Sequence, residues 1–209
     1  PRLFGFTEYA DLVELLERAG LKRDLEHRLQ YHVFTYDWRR DLVDSARLLG
    51  ETLDTLAEAM GDPDLRVNLL AHSMGGLVAR RFILQNDEAG GQKYVRLFVS
   101  LSSPWGGMDS AALGMRYAPV AMPSWVDLAP GSGFLSDMYQ NRLPRTVSFY
   151  LFYGAQGGAG VARPEDDGTL TVATQRDPRV SAEAIEVLGF DADHMAIINS
   201  RAVFDEFER

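Results

Sequence analysis

The six residues Ala71-His72-Ser73-Met74-Gly75-Gly76 set a serine between a short apolar strand pattern, 66–71, and a helical pattern that begins at Gly75. A serine at the apex of a strand–turn–helix sits in a strained backbone conformation that lifts its hydroxyl clear of a sheet. Such a turn demands small residues two before and two after the serine, and Ala71 and Gly75 are small. The next helix starts at the same point, so its dipole and the Met74 N–H are placed to stabilise an oxyanion. The alternative is an ordinary turn in which Ser73 only caps the helix.

A serine hydroxyl needs a base within hydrogen-bond reach and a carboxylate that holds the base in one tautomer. The chain holds four histidines: His27, His32, His72 and His194. After a nucleophile on such a turn the acid follows next and the histidine last. Only His194, in the polar turn Asp191-Ala192-Asp193-His194, lies beyond Ser73. His72, the neighbour of Ser73, points away from the hydroxyl and is expected to pack or to hydrogen-bond. The acid is sought in Glu165-Asp166-Asp167-Gly168-Thr169, with Asp167 chosen for its Asp-Gly-Thr turn. Asp166 remains the rival, and Asp191 or Asp193 are alternatives that cap or orient His194.

These residues need a scaffold, and the periodicities supply one. Helical spacing covers 7–19 (Thr7 as N-cap, Gly20 as stop), 41–60 (Leu42, Leu49, Leu53 and Leu56, ended by Gly61), 75–85 and 194–207. Strand patterns cover 31–36, 66–71, 95–101, 147–153 and 184–188. Their alternation predicts one domain over 1–209, a mostly parallel sheet with helices on both faces. In such sheets sites form at the carboxyl ends of strands.

Residues 106–143 interrupt the alternation. This stretch holds Met108, Met115, Met122, Met138 and Trp125, and is punctuated by Pro119, Pro123 and Pro130. Its apolar content suggests a lid or cap over an acyl pocket, with Trp105, Met108, Met122 and Trp125 as acyl contacts. The alternative is a surface excursion that completes the core.

Composition narrows the partners. A net charge of −9 over 209 residues repels nucleic acid and anionic membranes, but not an uncharged acyl chain. With no cysteine there is no disulfide and no thiolate nucleophile, which fits a reducing compartment such as the cytoplasm. No apolar run approaches the ~18 residues of a membrane span. No metal-ligand cluster or phosphate-cradling glycine loop occurs, so neither metal nor cofactor is expected.

Tyr36-Asp37-Trp38-Arg39, the serine turn, Ser103-Pro104-Trp105-Gly106-Gly107, Asp167-Gly168-Thr169 and the late His194 occur in that order. Together they resemble the lecithin–cholesterol acyltransferase-like branch of the α/β-hydrolases, which includes bacterial lipase-like members. The resemblance implies an α/β-hydrolase fold and acyl-ester chemistry on small or lipid-like esters. It also implies Ser73, Asp167 and His194 as the triad and 106–143 as the lid. Water as acceptor makes such a protein an esterase or lipase, and an alcohol makes it an acyltransferase. Ala71 stands where a glycine is common, and Asp-Gly-Thr continues as Leu170-Thr171 rather than Val-Pro. Proteins of this kind take a second oxyanion donor from a loop after an early strand. Residues 1–6 are too short for strand and loop, so that element is expected to be missing. Within Tyr-Asp-Trp-Arg, Trp38 is expected in the core and Asp37–Arg39 as a local salt bridge, with a substrate role for the motif as the alternative.

Overall fold

In a computed structural model, which describes residues 9–18, 20–22, 30–90, 93–117, 121–156 and 165–207, helix α1 is Ala10–Arg18. Gly20, at φ 88°, ends it as expected. Thr7 and residues 1–6, on which the expectation of a missing early strand and loop falls, lie outside the described residues.

The expected strand at 31–36 joins no ladder among the described residues. The two-residue period is nevertheless real: the rings of Phe34 and Tyr36 stack with centroids 5.5 Å apart and pack on the core. A period of two specifies an extended chain. A strand also needs a neighbour that offers N–H and C=O groups.

Helix α2, Leu42–Met60, is bounded as its sequence predicts. Asp41 caps it by accepting the N–H groups of Val43 and Asp44, and Gly61 closes it in the left-handed region at φ 61°. Leu42, Ala46, Leu49, Leu53 and Ala57 recur every three or four residues and form its buried stripe. Then follow β1 (Val67–His72), α3 (Met74–Glu88) and β2 (Val95–Leu101).

Residues 106–143 form three short helices: α4 (Asp109–Tyr117), α5 (Pro123–Leu128) and α6 (Gly133–Met138). Ala111, Leu128, Leu135 and Met138 are buried in the main core. Asp127 of α5 accepts the Leu42 N–H at 2.8 Å, and Ser124 N–H is 3.3 Å from the Arg39 carbonyl. The segment thus clamps the start of α2. This inner side fits a core-completing excursion, the alternative to a lid.

The chain continues through β3 (Ser148–Gly154), α7 (Val172–Gln175), α8 (Pro178–Ser181) and β4 (Glu186–Phe190). The four strands lie in the order β1-β2-β3-β4, every neighbour parallel. Their carboxyl ends therefore share one edge. Alternate side chains serve opposite faces. Phe98, Phe149 and Leu151 enter the core beneath α2 and α3, while Val99, Leu101 and Phe152 meet Ile197, Ile198 and Val203 on the other face. Leu12 and Leu16 of α1 border that second face at Leu70 and Leu101. The expected α/β architecture, with a parallel sheet and helices on both sides, is present.

The expected closing helix from 194 is broken. A 3-10 turn, Ala196–Asn199, is followed by Ser200 in extended conformation and only then by α9, Arg201–Phe207. The backbone of His194 explains the break. Its N–H goes to the Asp167 carbonyl at 2.8 Å and its carbonyl lies 2.7 Å from the His72 ring. A helix at 194 would need that carbonyl for its own ladder.

Candidate active site

Ser73 stands between β1 and α3 with φ 54° and ψ −130°, a strained conformation for a residue with a side chain. Its N–H is fixed to the Leu101 carbonyl of β2 at 2.9 Å. The side chain makes no capping bond to α3, so the N-cap alternative fails. Its Oγ instead lies 3.0 Å from His194 Nε2. Met74 opens α3, where helix geometry leaves its N–H without an i−4 partner.

The steric demand of the turn differs from expectation in one detail. A methyl on Gly75 would meet the Ala71 Cβ at 3.9 Å, an ordinary contact. A methyl on Gly76 would meet Ser103 Oγ at 2.1 Å and Ser103 Cβ at 2.8 Å. The position that only glycine fits is therefore Gly76, where α3 passes the end of β2.

His194 Nδ1 lies 2.7 Å from Asp167 Oδ2. Asp167 is 1% exposed, and its Oδ1 accepts the N–H groups of Leu170 at 2.7 Å and Thr169 at 3.0 Å. Burial pushes its pKa up. The His194 bond, the Leu170 N–H, the His194 charge and the Thr169 N–H outweigh burial and hold it below the usual carboxylate range. Gly168, at φ 86°, makes this tight turn possible. Asp166 turns instead to the Gly168 N–H at 3.0 Å, so of the two carboxylates it is Asp167 that faces His194. Asp193 accepts the N–H groups of Met195 and Ala196 at 2.9 and 2.6 Å, the capping role given as an alternative.

Several supporting residues escaped the sequence. The Gln175 carboxamide pairs with both backbone groups of Gly154, at 3.0 Å each, and donates to the Leu170 carbonyl at 3.2 Å. Buried Ser102, at φ 43°, places its Oγ 3.2 Å from the Gly154 nitrogen. A methyl on Gly154 would strike the Ala192 carbonyl at 2.7 Å. Gly154 is thus where the end of β3, the acid turn and the histidine turn meet. Neither period nor motif marks Gln175, because its partners are backbone atoms. His72 lies 2.7 Å from the His194 carbonyl and 3.0 Å from the Tyr9 hydroxyl, a hydrogen-bonding role as expected. Burial, then the His194 charge, lower its pKa to about 4, against weaker opposite effects from the His194 carbonyl and Asp167.

Two other expectations, those for Trp105 and Trp38, need correction. Trp105 is fully buried and packs edge-on against Phe98 and Phe149, so it fills the core instead of an acyl pocket. Its neighbours Gly106 and Gly107 are glycines for close approach: added methyls would meet Thr174 Oγ1 at 2.7 Å and the Pro130 backbone at 2.8 Å. Met108 and Trp125 are half-buried against the main core, with Trp125 pressed on Gly114. Met122 is half-buried at the start of α5. Trp38 is 55% exposed, not core. Arg39 pairs with Asp37 through two bonds of 2.8 Å, and that pairing takes the Asp37 pKa down to about 2. Among the described residues no cluster of ligands gathers for a metal, and no helix is long and apolar enough to cross a membrane.

The arrangement of hydroxyl, imidazole and buried carboxylate in one line can deprotonate Ser73 as it attacks a carbonyl. In solved structures, the mature lipase BlEst2 of Bacillus licheniformis superposes with a TM-score of 0.59 at 22% identity, covering 81% of this chain and 74% of that one. A monoacylglycerol lipase of Paleococcus ferrophilus gives 0.59 at 13% identity, over 97% and 86%. At such identities the likeness is one of fold, and that fold is the α/β-hydrolase fold. In sequence, the chain is 38% identical over 76 residues to the lysosomal phospholipase A and acyltransferase of Homo sapiens, covering 35% of this chain and 18% of that protein. It is 37% identical over 97 residues to the phosphatidylcholine-sterol acyltransferase of Gallus gallus, covering 46% and 22%. It is 42% identical over 123 residues to lecithin-cholesterol acyltransferase-like 1 of Arabidopsis thaliana, covering 53% and 27%. The chain thus spans less than a third of the length of these curated relatives. The profile of the lecithin:cholesterol acyltransferase family matches residues 2–117, more than half of the chain and inclusive of Tyr36-Asp37-Trp38-Arg39 and the serine turn. The chain belongs to the lecithin:cholesterol acyltransferase family.

Proposed function

We propose that this protein is a serine hydrolase that cleaves carboxylic esters of lipid-like or hydrophobic acyl groups through an acyl-enzyme on Ser73. The observation that carries this reading is the unbroken line Ser73 Oγ–His194 Nε2 at 3.0 Å and His194 Nδ1–Asp167 Oδ2 at 2.7 Å. Ser73 Oγ attacks the ester carbonyl while its proton passes to His194 Nε2. Asp167, kept ionised by its partners, stabilises the imidazolium. The Met74 N–H donates to the tetrahedral oxyanion. Collapse breaks the bond to the leaving alkoxide, which takes the proton back from His194 as the alcohol. Water, deprotonated by His194, then attacks the acyl-enzyme and releases the carboxylic acid and Ser73.

An alcohol in place of that water gives acyl transfer by the same residues. Relatives named as phospholipase A and acyltransferase favour testing both outcomes in one assay. Residues 106–143 act in this reading as a fixed cap, with Met108, Met122 and Trp125 as the side chains offered to the acyl group. Lipid-like substrates are favoured by the names of the relatives and by the apolar content of that segment.

The test is hydrolysis of p-nitrophenyl esters from short to long acyl chains, with and without an added alcohol, by the protein and by Ser73→Ala. Activity lost in Ser73→Ala supports the reading, and an acyl ester of the added alcohol identifies transfer. Absence of turnover across the series would turn the assignment toward a non-catalytic acyl-binding protein.

A further inference from the structure

Both nitrogens of the His72 ring are engaged, neither with the hydroxyl of the adjacent Ser73. Nε2 lies 2.7 Å from the carbonyl of His194, and Nδ1 lies 3.0 Å from the hydroxyl of Tyr9. A carbonyl oxygen only accepts, so Nε2 must carry the hydrogen. In the neutral ring Nδ1 is then bare and accepts from the Tyr9 O–H. The contacts therefore select a single tautomer. The groups that face this ring are Tyr9, just before α1, the His194 ring at 4.8 Å between centroids, and the Asp167 carboxylate beyond it.

The consequence is geometric. Ser73 and His194 are 121 residues apart, and their side chains meet at 3.0 Å. The backbone of His194 is held at its N–H by the Asp167 carbonyl, at 2.8 Å, and at its C=O by His72. His72 is bonded to Ser73 through the chain. The Ser73–His194 hydrogen bond is thus one side of a closed circuit, in which His72 ties the backbone of the base to the backbone of the nucleophile. A helix starting at 194 would take that carbonyl away, and the chain forms none there.

We propose that His72 is a positioning residue, which as a neutral Nε2–H donor fixes the His194 backbone so that the imidazole meets the Ser73 hydroxyl. The proposal rests on the assignment of Ser73 and His194 as nucleophile and base. Displacements of about 1 Å in such a pair cost on the order of a hundredfold in rate. His72→Phe keeps a flat ring and removes the donor, while His72→Gln keeps an N–H within reach of the carbonyl.

The experiment compares ester hydrolysis by the protein, His72→Phe and His72→Gln, and records the imidazole nitrogen spectra of the 15N-histidine-labelled protein. The expected result is a fall in kcat of about tenfold to a hundredfold for His72→Phe with KM within about twofold. His72→Gln is expected to recover most of that loss, and the wild-type His72 ring to be the Nε2–H tautomer at pH 7. A kcat for His72→Phe within about threefold of wild type, or His72→Gln falling as far as His72→Phe, would overturn the proposal. So would a Nδ1–H ring in the wild-type protein, a result that stands even if His72→Phe does not fold. Should the wild-type protein hydrolyse nothing, the hydrolase reading fails, and the tautomer alone decides whether His72 holds His194.

Discussion

The carboxamide of Gln175 holds the backbone of Gly154 by both of its polar groups: Oε1 accepts the Gly154 N–H and Nε2 donates to the Gly154 carbonyl, each at 3.0 Å. The same Nε2 reaches the carbonyl of Leu170, whose N–H is given to Asp167. Gln175 therefore joins the carboxyl end of β3 to the turn that aims the acid. Gln175→Leu takes this donor from the Gly154 carbonyl, while the Gly154 N–H keeps Ser102 Oγ and the Leu170 carbonyl keeps the Asp167 N–H. We expect a loss of about 1–3 kcal/mol in urea unfolding, with a drop in kcat and little change in KM. Loss of stability with unchanged kcat would show that the acid turn holds itself.

Asp167 and its neighbour give opposite expectations. Asp167→Asn leaves a neutral amide beside His194 Nδ1, which favours the wrong tautomer of the imidazole. The expected fall in kcat for ester hydrolysis is roughly a thousandfold to ten-thousandfold. Asp166→Asn, whose carboxylate accepts the Gly168 N–H, is expected to stay within about threefold. The reverse order of effects would reassign the acid.

His72 also makes stability depend on pH. Its pKa is lowered from 6.5 to about 4, chiefly by burial and then by His194. Between those values the unfolded chain binds a proton that the folded chain does not, so stability falls as pH falls from 6.5 to 4. The full shift corresponds to about 3 kcal/mol as an upper figure. Thermal unfolding of the protein and of His72→Gln across this window should therefore give a steeper loss for the wild type. Parallel curves would assign the acid sensitivity elsewhere. Asp167, whose pKa is depressed, adds stability present above the ordinary carboxylate pKa, and that is lost as pH falls below it toward the folded value.

The two glycines that follow the serine turn should behave differently. Gly75→Ala places a methyl at ordinary contact distance from Ala71 and removes a flexible residue from α3, so it is expected to be neutral or stabilising by up to about 1 kcal/mol. Gly76→Ala drives a methyl into Ser103 and should cost on the order of 1–3 kcal/mol. Combining it with Ser103→Gly, which removes both clashing atoms, should recover part of that cost. Equal losses from the two alanines in chemical unfolding would contradict the packing described here.

Much of this site was legible from residue types and order. Ser73 stood out because a strand pattern ended and a helix pattern began on either side of it. His194 followed from chain order among four histidines. β2 was read to the residue and α2 nearly so, since a cap, a stripe and a closing glycine are local signals. Asp167 could be separated from Asp166 only in three dimensions. Both sit in the same acidic turn, and what distinguishes them is which carboxylate the turn delivers to His194.

Where the sequence misled, a local pattern met a non-local demand. Trp105 and Trp38 exchange the places expected of them, the first entirely buried and the second 55% exposed. Amphipathic aromatic residues suit either environment, so composition does not decide. Residues 31–36 have the period of a strand, and 194–207 begin with a helical pattern. A strand needs a partner, and His194 needs its carbonyl for His72. Residue types and their order along the chain pointed to Ser73, His194 and the alternating scaffold, because a strand–helix junction, the order of the histidines and the local periodicities are all written in one dimension. Only the folded chain sets Asp167 and not Asp166 against His194, brings Gln175, Ser102 and His72 to their backbone partners, and leaves no room for a methyl at Gly76. Those arrangements depend on atoms brought together from strand ends that lie far apart in sequence and side by side in the sheet.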